Sequence, residues 1–156
     1  MNVIETSSGT LKALRRRAAG SFQRTFATPL KRLPAFVRAV LGETAPIRGA
    51  SAFVESIVFE PKHLENLLGA HGLPKSYGAE WTIAAEGWEE SAALLEALLA
   101  DWIDFYFAPE PKHIWLYADH DEYATLFASK KGPLSRVADR LKAIGVREIM
   151  DYARAI

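Results

Sequence analysis

The stretch His113-Ile-Trp-Leu-Tyr-Ala-Asp-His-Asp-Glu-Tyr-Ala-Thr-Leu-Phe-Ala128 decides how the chain folds. Two runs of alternating bulky residues flank the polar break Asp119-His120-Asp121-Glu122, which is the pattern of a β-hairpin with an acidic tip. A tight turn predicts that Ala118 lies opposite Tyr123. Both faces of the hairpin are then apolar, so either helices cover both faces or one aromatic face serves a partner.

The residues after the hairpin predict a helix and a final strand. Gly132-Pro133 begins the helix, Gly145 ends it, and the run 146–150 has the composition of a strand. Residues 112–152 are therefore predicted to form a β-β-α-β unit.

The residues before the hairpin predict further helices and strands. We expect helices over 10–19, 29–41 (regular from Pro34), 61–69 and 88–107, and strands over 52–59 and 80–85. The sum is an α+β fold, with a mixed, mainly antiparallel sheet of about four to five strands packed with helices. We expect a single domain over 1–156, with a basic helical N-terminal segment (1–48) and an α/β core (49–156).

The charges are unevenly distributed although the net charge is zero. Residues 1–48 carry nine Lys/Arg and two Glu (+7), residues 49–128 three Lys and fourteen Asp/Glu (−11), and residues 129–156 seven basic and three acidic residues (+4). Such asymmetry either steers a charged partner or lets the two ends fold onto the acidic middle.

Several classes of function are disfavoured by missing motifs. The chain has no cysteine, no apolar run of the ~18 residues that span a membrane, no HExxH pattern and no glycine-rich phosphate loop. The start of the chain lacks a basic region followed by an apolar one, as a secretory signal has. We therefore expect a cytoplasmic, non-enzymatic protein without a cofactor and without a membrane partner.

The strongest candidate for chemistry is the hairpin break itself. Carboxylates and an imidazole can bind a divalent cation or act as acid and base, so a small metal-dependent hydrolase using Asp119, His120 and Asp121 is one hypothesis. Adjacent residues on a tight turn converge poorly on one ion, however. The competing interpretation is a polar hairpin tip whose aspartates accept hydrogen bonds from local backbone amides.

A second alternative is binding of nucleic acid by basic residues near both ends. Arg15-Arg16-Arg17 and Lys130-Lys131 would supply the cations. No aromatic residue is interleaved with the three arginines, as a single-strand binder would need. Nucleic acid is therefore not the partner that we expect.

The run Trp115–Ser129, the helix that follows it and the tail Tyr152–Ile156 together resemble small bacterial immunity proteins of polymorphic-toxin systems, including contact-dependent inhibition. The resemblance implies a non-catalytic cytoplasmic antidote that binds a cognate toxin domain, such as a basic nuclease, and occludes its active site. An acidic surface suits a basic partner. We expect the partner to contact a set of acidic and imidazole side chains: Asp119, His120, Asp121, Glu122, Glu89, Glu90 and Glu96.

Overall fold

The computed structural model describes residues 1–7, 9–44, 46–75 and 77–155. Its strands are β1 (Asn2–Glu5), β2 (Phe22–Ala27), β3 (Gly49–Ser56), β4 (Trp81–Glu86), β5 (Asp104–Glu110), β6 (Trp115–Ala118), β7 (Tyr123–Ala128) and β8 (Glu148–Ile149). Its helices are α1 (Thr10–Ala19), α2 (Leu33–Leu41), α3 (Lys62–Ala70), α4 (Gly87–Ala100) and α5 (Lys131–Ala143). No helix within these ranges is long and apolar enough to cross a membrane.

The eight strands form one sheet in the order β1-β4-β3-β5-β6-β7-β2-β8, and every neighbouring pair is antiparallel. The α+β class is thus confirmed, but the expectation of four to five strands is wrong. Two of the additional strands, β1 and β2, lie within residues 1–48, so this segment is not wholly helical.

One face of the sheet packs against four helices. Helices α4 and α5 contact the strands directly, while α2 packs against both of them and α3 packs against α4. Leu94, Leu95 and Leu98 of α4 are fully buried, as is Leu141 of α5. Burial of these apolar side chains supplies the main favourable free energy of folding.

The other face carries a row of side chains that crosses all eight strands. Strand register places its members side by side: Ile4, Thr82, Phe53, Tyr106, Tyr117, Thr125, Thr25 and Ile149. Helix α1 packs Leu11, Leu14 and Ala18 against the aromatic part of this face. Tyr106 and Tyr117 are therefore buried within the chain, and the aromatic face of the hairpin is covered without a partner.

Helix α4 is shorter than the sequence predicts. It ends at Ala100 rather than at 107, and β5 begins at Asp104. The amide of Trp102 donates to the Leu99 carbonyl and that of Ile103 to the Leu98 carbonyl, which is a Schellman ending. Such an ending usually has glycine in the left-handed position, whereas here Trp102 adopts φ +54°. The usual stop signal is therefore absent from the sequence.

The hairpin forms as predicted, but its register is shifted by one residue. Ala118 lies opposite Ala124, and Tyr117 lies opposite Thr125. The shift occurs because the loop is longer than a tight turn, and it is closed by a hydrogen bond from the Asp119 amide to the Tyr123 carbonyl. Tyr117 and Thr125 consequently share a face with Trp115 and Phe127, whereas the tight turn predicted Ala124 and Leu126 there.

The β-β-α-β order of the C-terminal unit is present as β6, β7, α5 and β8. Strand β8 does not pair with the hairpin, however. It pairs with β2, which lies between β7 and β8. A segment near the N-terminus is thus inserted into the C-terminal unit.

Gly49 allows β3 and β4 to approach closely, and this gives a test of the sheet. A Cβ atom at this position would lie 2.4 Å from the Ala85 carbonyl oxygen. We expect Gly49→Ala to lower the free energy of unfolding by about 2 kcal/mol, because backbone must move to relieve the clash. The measurement is urea denaturation followed by circular dichroism.

The matched control is Gly42→Ala, because Gly42 has φ −59° and a methyl group added there would meet no atom within 4 Å. This variant should keep or raise stability, by up to about 1 kcal/mol. Equal denaturation midpoints for the two variants would contradict the close β3–β4 approach.

Candidate functional site

The tip of the β6–β7 hairpin, residues 119–122, is held by bonds of Asp119 on two sides. Asp119 Oδ1 accepts hydrogen bonds from the backbone amides of Asp121 (3.1 Å) and Tyr123 (3.4 Å). Asp119 Oδ2 lies 2.7 Å from Arg154 Nη1, and the Asp119 side chain is only 11% exposed. Asp119 therefore shapes the loop, as expected for an aspartate that bonds local amides.

His120 is anchored to the start of β5. Its backbone N–H and its Nδ1–H both donate to Asp104 Oδ1, each over 2.8 Å. The pKa of His120 is raised above its ordinary value, first by this hydrogen bond and then by the negative charge of Asp104, with smaller contributions from Asp121 and Asp119. The imidazole therefore also serves mainly to position the tip.

Asp101, three residues before Asp104, binds a second histidine in the same way. The backbone N–H and Nδ1–H of His63 donate to Asp101 Oδ1 over 3.1 and 2.6 Å. The amide of Leu64 donates to Asp101 Oδ2 over 2.8 Å. The turn between α4 and β5 thus binds both the start of α3 and the hairpin tip.

Asp121 and Glu122 are the two residues of the tip whose carboxylates face solvent. The Asp121 side chain is 78% exposed and lies 3.9 Å from His120 Nε2. Glu122 is exposed and has φ +71°, and its carbonyl accepts a hydrogen bond from the Thr28 amide. Two negative charges are therefore presented on a loop whose backbone is fixed at both flanks.

Of the three glutamates of α4, the two in its first turn, Glu89 and Glu90, lie far from this tip. Helix α4 begins next to Glu86, and the strand register places Glu86 near Glu110 at the end of β5, because both pair with Gly49. The tip is instead bound to Asp104 at the start of β5. The beginning of α4 and the tip therefore lie at opposite ends of the sheet. The predicted set of contact residues is spread over separate surfaces.

Each of these glutamates has its own environment. Glu90 binds the N-terminal ammonium group over 2.7 Å and accepts a hydrogen bond from the Glu86 amide over 2.8 Å, and these bonds lower its pKa. Glu89 is exposed in the first turn of α4. Glu96 lines an apolar groove of about 600 Å³ between α2, α3 and α4.

Arg154, which sequence reasoning missed, holds the tip in place through its ion pair with Asp119. Its guanidinium lies 4.4 Å from the centre of the Tyr117 ring, and its Nε–H donates to Thr125 Oγ1 over 3.0 Å. Gln23 bonds the backbone N–H of Arg154 over 2.8 Å and its carbonyl over 3.3 Å. Nothing in the sequence near Arg154 indicates this role, since its partners lie 29 to 131 residues away.

A second polar cluster on the aromatic face was also missed. Glu55 of β3 forms an ion pair with Arg15 of α1 and accepts a hydrogen bond from the Tyr117 hydroxyl over 2.8 Å. Burial, followed by the Glu55 bond, raises the pKa of Tyr117. These bonds join α1 to the centre of the sheet.

Part of the charge asymmetry is neutralised inside the fold. Cations from the two ends of the chain bind acids of the middle segment, in the pairs Arg15–Glu55, Arg48–Glu110, Arg154–Asp119 and the N-terminal ammonium–Glu90. The two explanations of the asymmetry are therefore compatible, because Asp121 and Glu122 remain exposed at the tip.

The hydrolase hypothesis finds little support in this geometry. Asp119 is engaged by Arg154, and the Nδ1 of His120 is engaged by Asp104. Within residues 1–7, 9–44, 46–75 and 77–155, no group of three or more His, Asp or Glu side chains could hold a metal ion. The tip can present charge, but its nitrogen and oxygen ligands do not converge.

The bonds of Arg154 give a test of how the tip is held. We expect Arg154→Met to lower the free energy of unfolding by about 2 kcal/mol, because Asp119 would lose its charged donor while it remains largely buried. Arg147→Met is the control, since Arg147 is exposed, and it should change stability by less than about 0.5 kcal/mol. Equal urea midpoints for both variants would contradict this role of Arg154.

The His120–Asp104 bond predicts a pH dependence. A histidine whose pKa is raised by folding stabilises the protein fully below its unfolded pKa of about 6.5, and this contribution is lost as the pH rises through the folded pKa. We expect Asp104→Asn to lower the His120 pKa measured by NMR. The stability difference from the wild type should shrink between pH 6 and pH 9.

Asp121→Asn is the control for this experiment, because Asp121 lies farther from the His120 ring, at 3.9 Å. It should lower the His120 pKa less than Asp104→Asn does. A His120 titration that is the same in the wild type and in Asp104→Asn would refute the bond.

Comparisons of the chain with protein-family models, with curated proteins and with solved structures give no match. The function is therefore inferred from the geometry of the chain itself. That geometry is a fixed acidic hairpin tip on a sheet with helices on one face and α1 over the aromatic part of the other.

Proposed function

We propose that the chain is a non-catalytic binding protein of the immunity kind, which acts in the cytoplasm and uses its hairpin tip to hold a basic toxin domain. The observation that carries the proposal is that two residues of the tip hold the loop in place while the other two are exposed. Asp119 and His120 are bound to Arg154 and Asp104, while Asp121 and Glu122 are exposed.

The rigidity of the tip favours recognition. Binding by a flexible loop loses conformational entropy, at about 0.5–1.5 kcal/mol for each immobilised side chain. Here the loop backbone is already fixed by the bonds to Asp104, to Thr28 and within the turn. A partner would therefore meet two carboxylates in a preformed arrangement.

The backbone at Glu122 supports the same conclusion. A residue other than glycine in the left-handed region carries strain of about 1 kcal/mol or more, and such strain is found preferentially at functional sites. Glu122 has φ +71°, although glycine would adopt this conformation freely. The long acidic side chain at this position is therefore more readily explained by binding than by stability.

Charge determines the class of partner. The exposed carboxylates at the tip favour a surface rich in Lys and Arg, and complementary charge raises the association rate and excludes acidic competitors. A nuclease domain has such a surface around its active site, because it must bind phosphates. Occlusion of that site would make catalytic groups in this chain unnecessary.

The partner can be identified by photocrosslinking. A photoreactive amino acid at position 121, expressed in the source cells, should capture one protein that the same probe at position 80 does not capture. Expression of the captured domain alone should arrest growth, and co-expression of this chain should restore it. Arrest that persists despite co-expression would refute the immunity function.

Charge reversal at the tip tests the contact directly. We expect Asp121→Lys with Glu122→Lys to weaken binding of the captured domain at least tenfold in calorimetry, because two attractive charges become repulsive. The control is Glu86→Lys with Glu110→Lys, two exposed acids at the opposite end of the sheet with the same change in charge, which should change the affinity less than threefold. Equal effects of the two double variants would place the contact away from the tip.

A further inference from the structure

Five cationic residues of three elements lie near the end of the sheet opposite the tip. We call this surface the basic end; it comprises Arg16, Arg17, Lys112, Lys130 and Lys131. Arg17 Nη2 donates to the Lys112 carbonyl over 3.4 Å. A cavity of about 230 Å³ lies between Lys112, His113, Ser129, Lys130 and Pro133, so the last turn of α1, the β5–β6 connection and the start of α5 border one surface.

The charges of the basic end are not used in ion pairs within the part of the chain that the structure describes. All five side chains belong to exposed residues, and none of their nitrogens lies within 4.0 Å of a described carboxylate oxygen. Arg15, their neighbour in α1, is by contrast paired with Glu55. The basic end therefore attracts anions from solution.

Two of these cations lie at the N-terminus of α5, where positive charge destabilises a helix. Lys130 and Lys131 begin α5, and the first turn of α5 contains no acidic residue. The positive end of the helix dipole disfavours cations there by about 0.3–1 kcal/mol each. The helix dipole therefore gives no reason for positive charge at this position, whereas binding of an anion does.

An aromatic ring lies beside these cations. Phe22 at the start of β2 is 44% exposed, and Lys131 Nζ lies 5.1 Å from its ring centre. The guanidinium of Arg17 lies 4.4 Å from the centre of the Trp115 ring. An exposed aromatic ring among cations is the combination that binds bases and phosphates of a single strand. Phe22 is that ring, because Trp115 is only 2% exposed, and the fold thus supplies the aromatic residue that the run Arg15-Arg16-Arg17 lacks.

We propose that the basic end binds single-stranded nucleic acid, with phosphates on its five cations and a base stacked on Phe22. This binding goes beyond the proposed contact with a toxin domain and uses a different surface. Strand β7 runs from the tip at Tyr123 to the basic end at Ala128, so about 17 Å separates the two surfaces. The two proposed surfaces therefore share no residue.

The test is fluorescence anisotropy with fluorescein-labelled dT20 and rU20, at salt concentrations from 50 to 300 mM. The wild type should bind both, with a slope of log K against log[salt] of about −3, as expected for four to five phosphate contacts on a single strand. Lys130→Glu with Lys131→Glu should weaken binding at 50 mM salt at least tenfold. Phe22→Ala should weaken it roughly tenfold by removing the stacked base.

The charge-reversed variant contains its own control for folding. Acidic residues at the start of a helix are favourable, so Lys130→Glu with Lys131→Glu should keep the wild-type urea midpoint or raise it. Lys31→Glu with Arg38→Glu is the matched control, since both residues are exposed at or in α2. It makes the same change in charge and should alter binding less than threefold.

Three results would overturn the proposal. One is a flat titration of the wild type at 50 mM salt, and another is binding that Lys130→Glu with Lys131→Glu leaves unchanged. The third is binding to vesicles containing 30% phosphatidylserine without binding to either oligonucleotide, which would assign the surface to lipid headgroups. The tip variant Asp121→Lys with Glu122→Lys should retain oligonucleotide binding, so the two proposals can fail independently.

Discussion

Two carboxylates three residues apart, those of Asp101 and Asp104, fix the position of α3, the hairpin tip and the start of β5 relative to one another. Asp104 accepts hydrogen bonds from one backbone amide and one imidazole, and Asp101 from two backbone amides and one imidazole. Hydrogen bonds to charged groups are stronger than those between neutral groups. Strand β5 is fourth in the order of eight. A displacement of the turn between α4 and β5 would therefore move the centre of the sheet, the helical layer and the tip together.

The elements that sequence predicts well are those with local signals at both ends. Helix α5 is bounded by Gly132-Pro133 and Gly145, and the last of these adopts the left-handed conformation that ends the helix. The junction between α4 and β5 lacks such a signal, because Trp102 occupies the position that glycine usually takes. The apolar residues that follow fit a helix as well as a strand, so local pattern alone extends the helix through β5.

The candidate site shows the same limit. The acidic tip follows from the polar break between two alternating runs, and so does the bonding of Asp119 to nearby amides. The roles of Arg154 and Asp104 do not follow from it, because their contacts with the tip arise from the strand order. The same order brings Phe22 beside Lys131, and pairwise proximity of this kind has no trace in a single sequence. The uneven distribution of charge along the sequence does not indicate which charges remain exposed.

The insertion of β2 between β7 and β8 has a consequence for the order of folding. Residues 22–27 pair with residues 123–128 and with 148–149, so this part of the sheet has very high contact order, which slows folding. During synthesis about a hundred further residues must be added after β2 before β7, its first partner strand, has been made. Strand β2 must therefore remain unpaired, or be shielded by a chaperone, until residues 123–128 have been synthesised. Residues 22–27 are thus made early and acquire their native strand partners late.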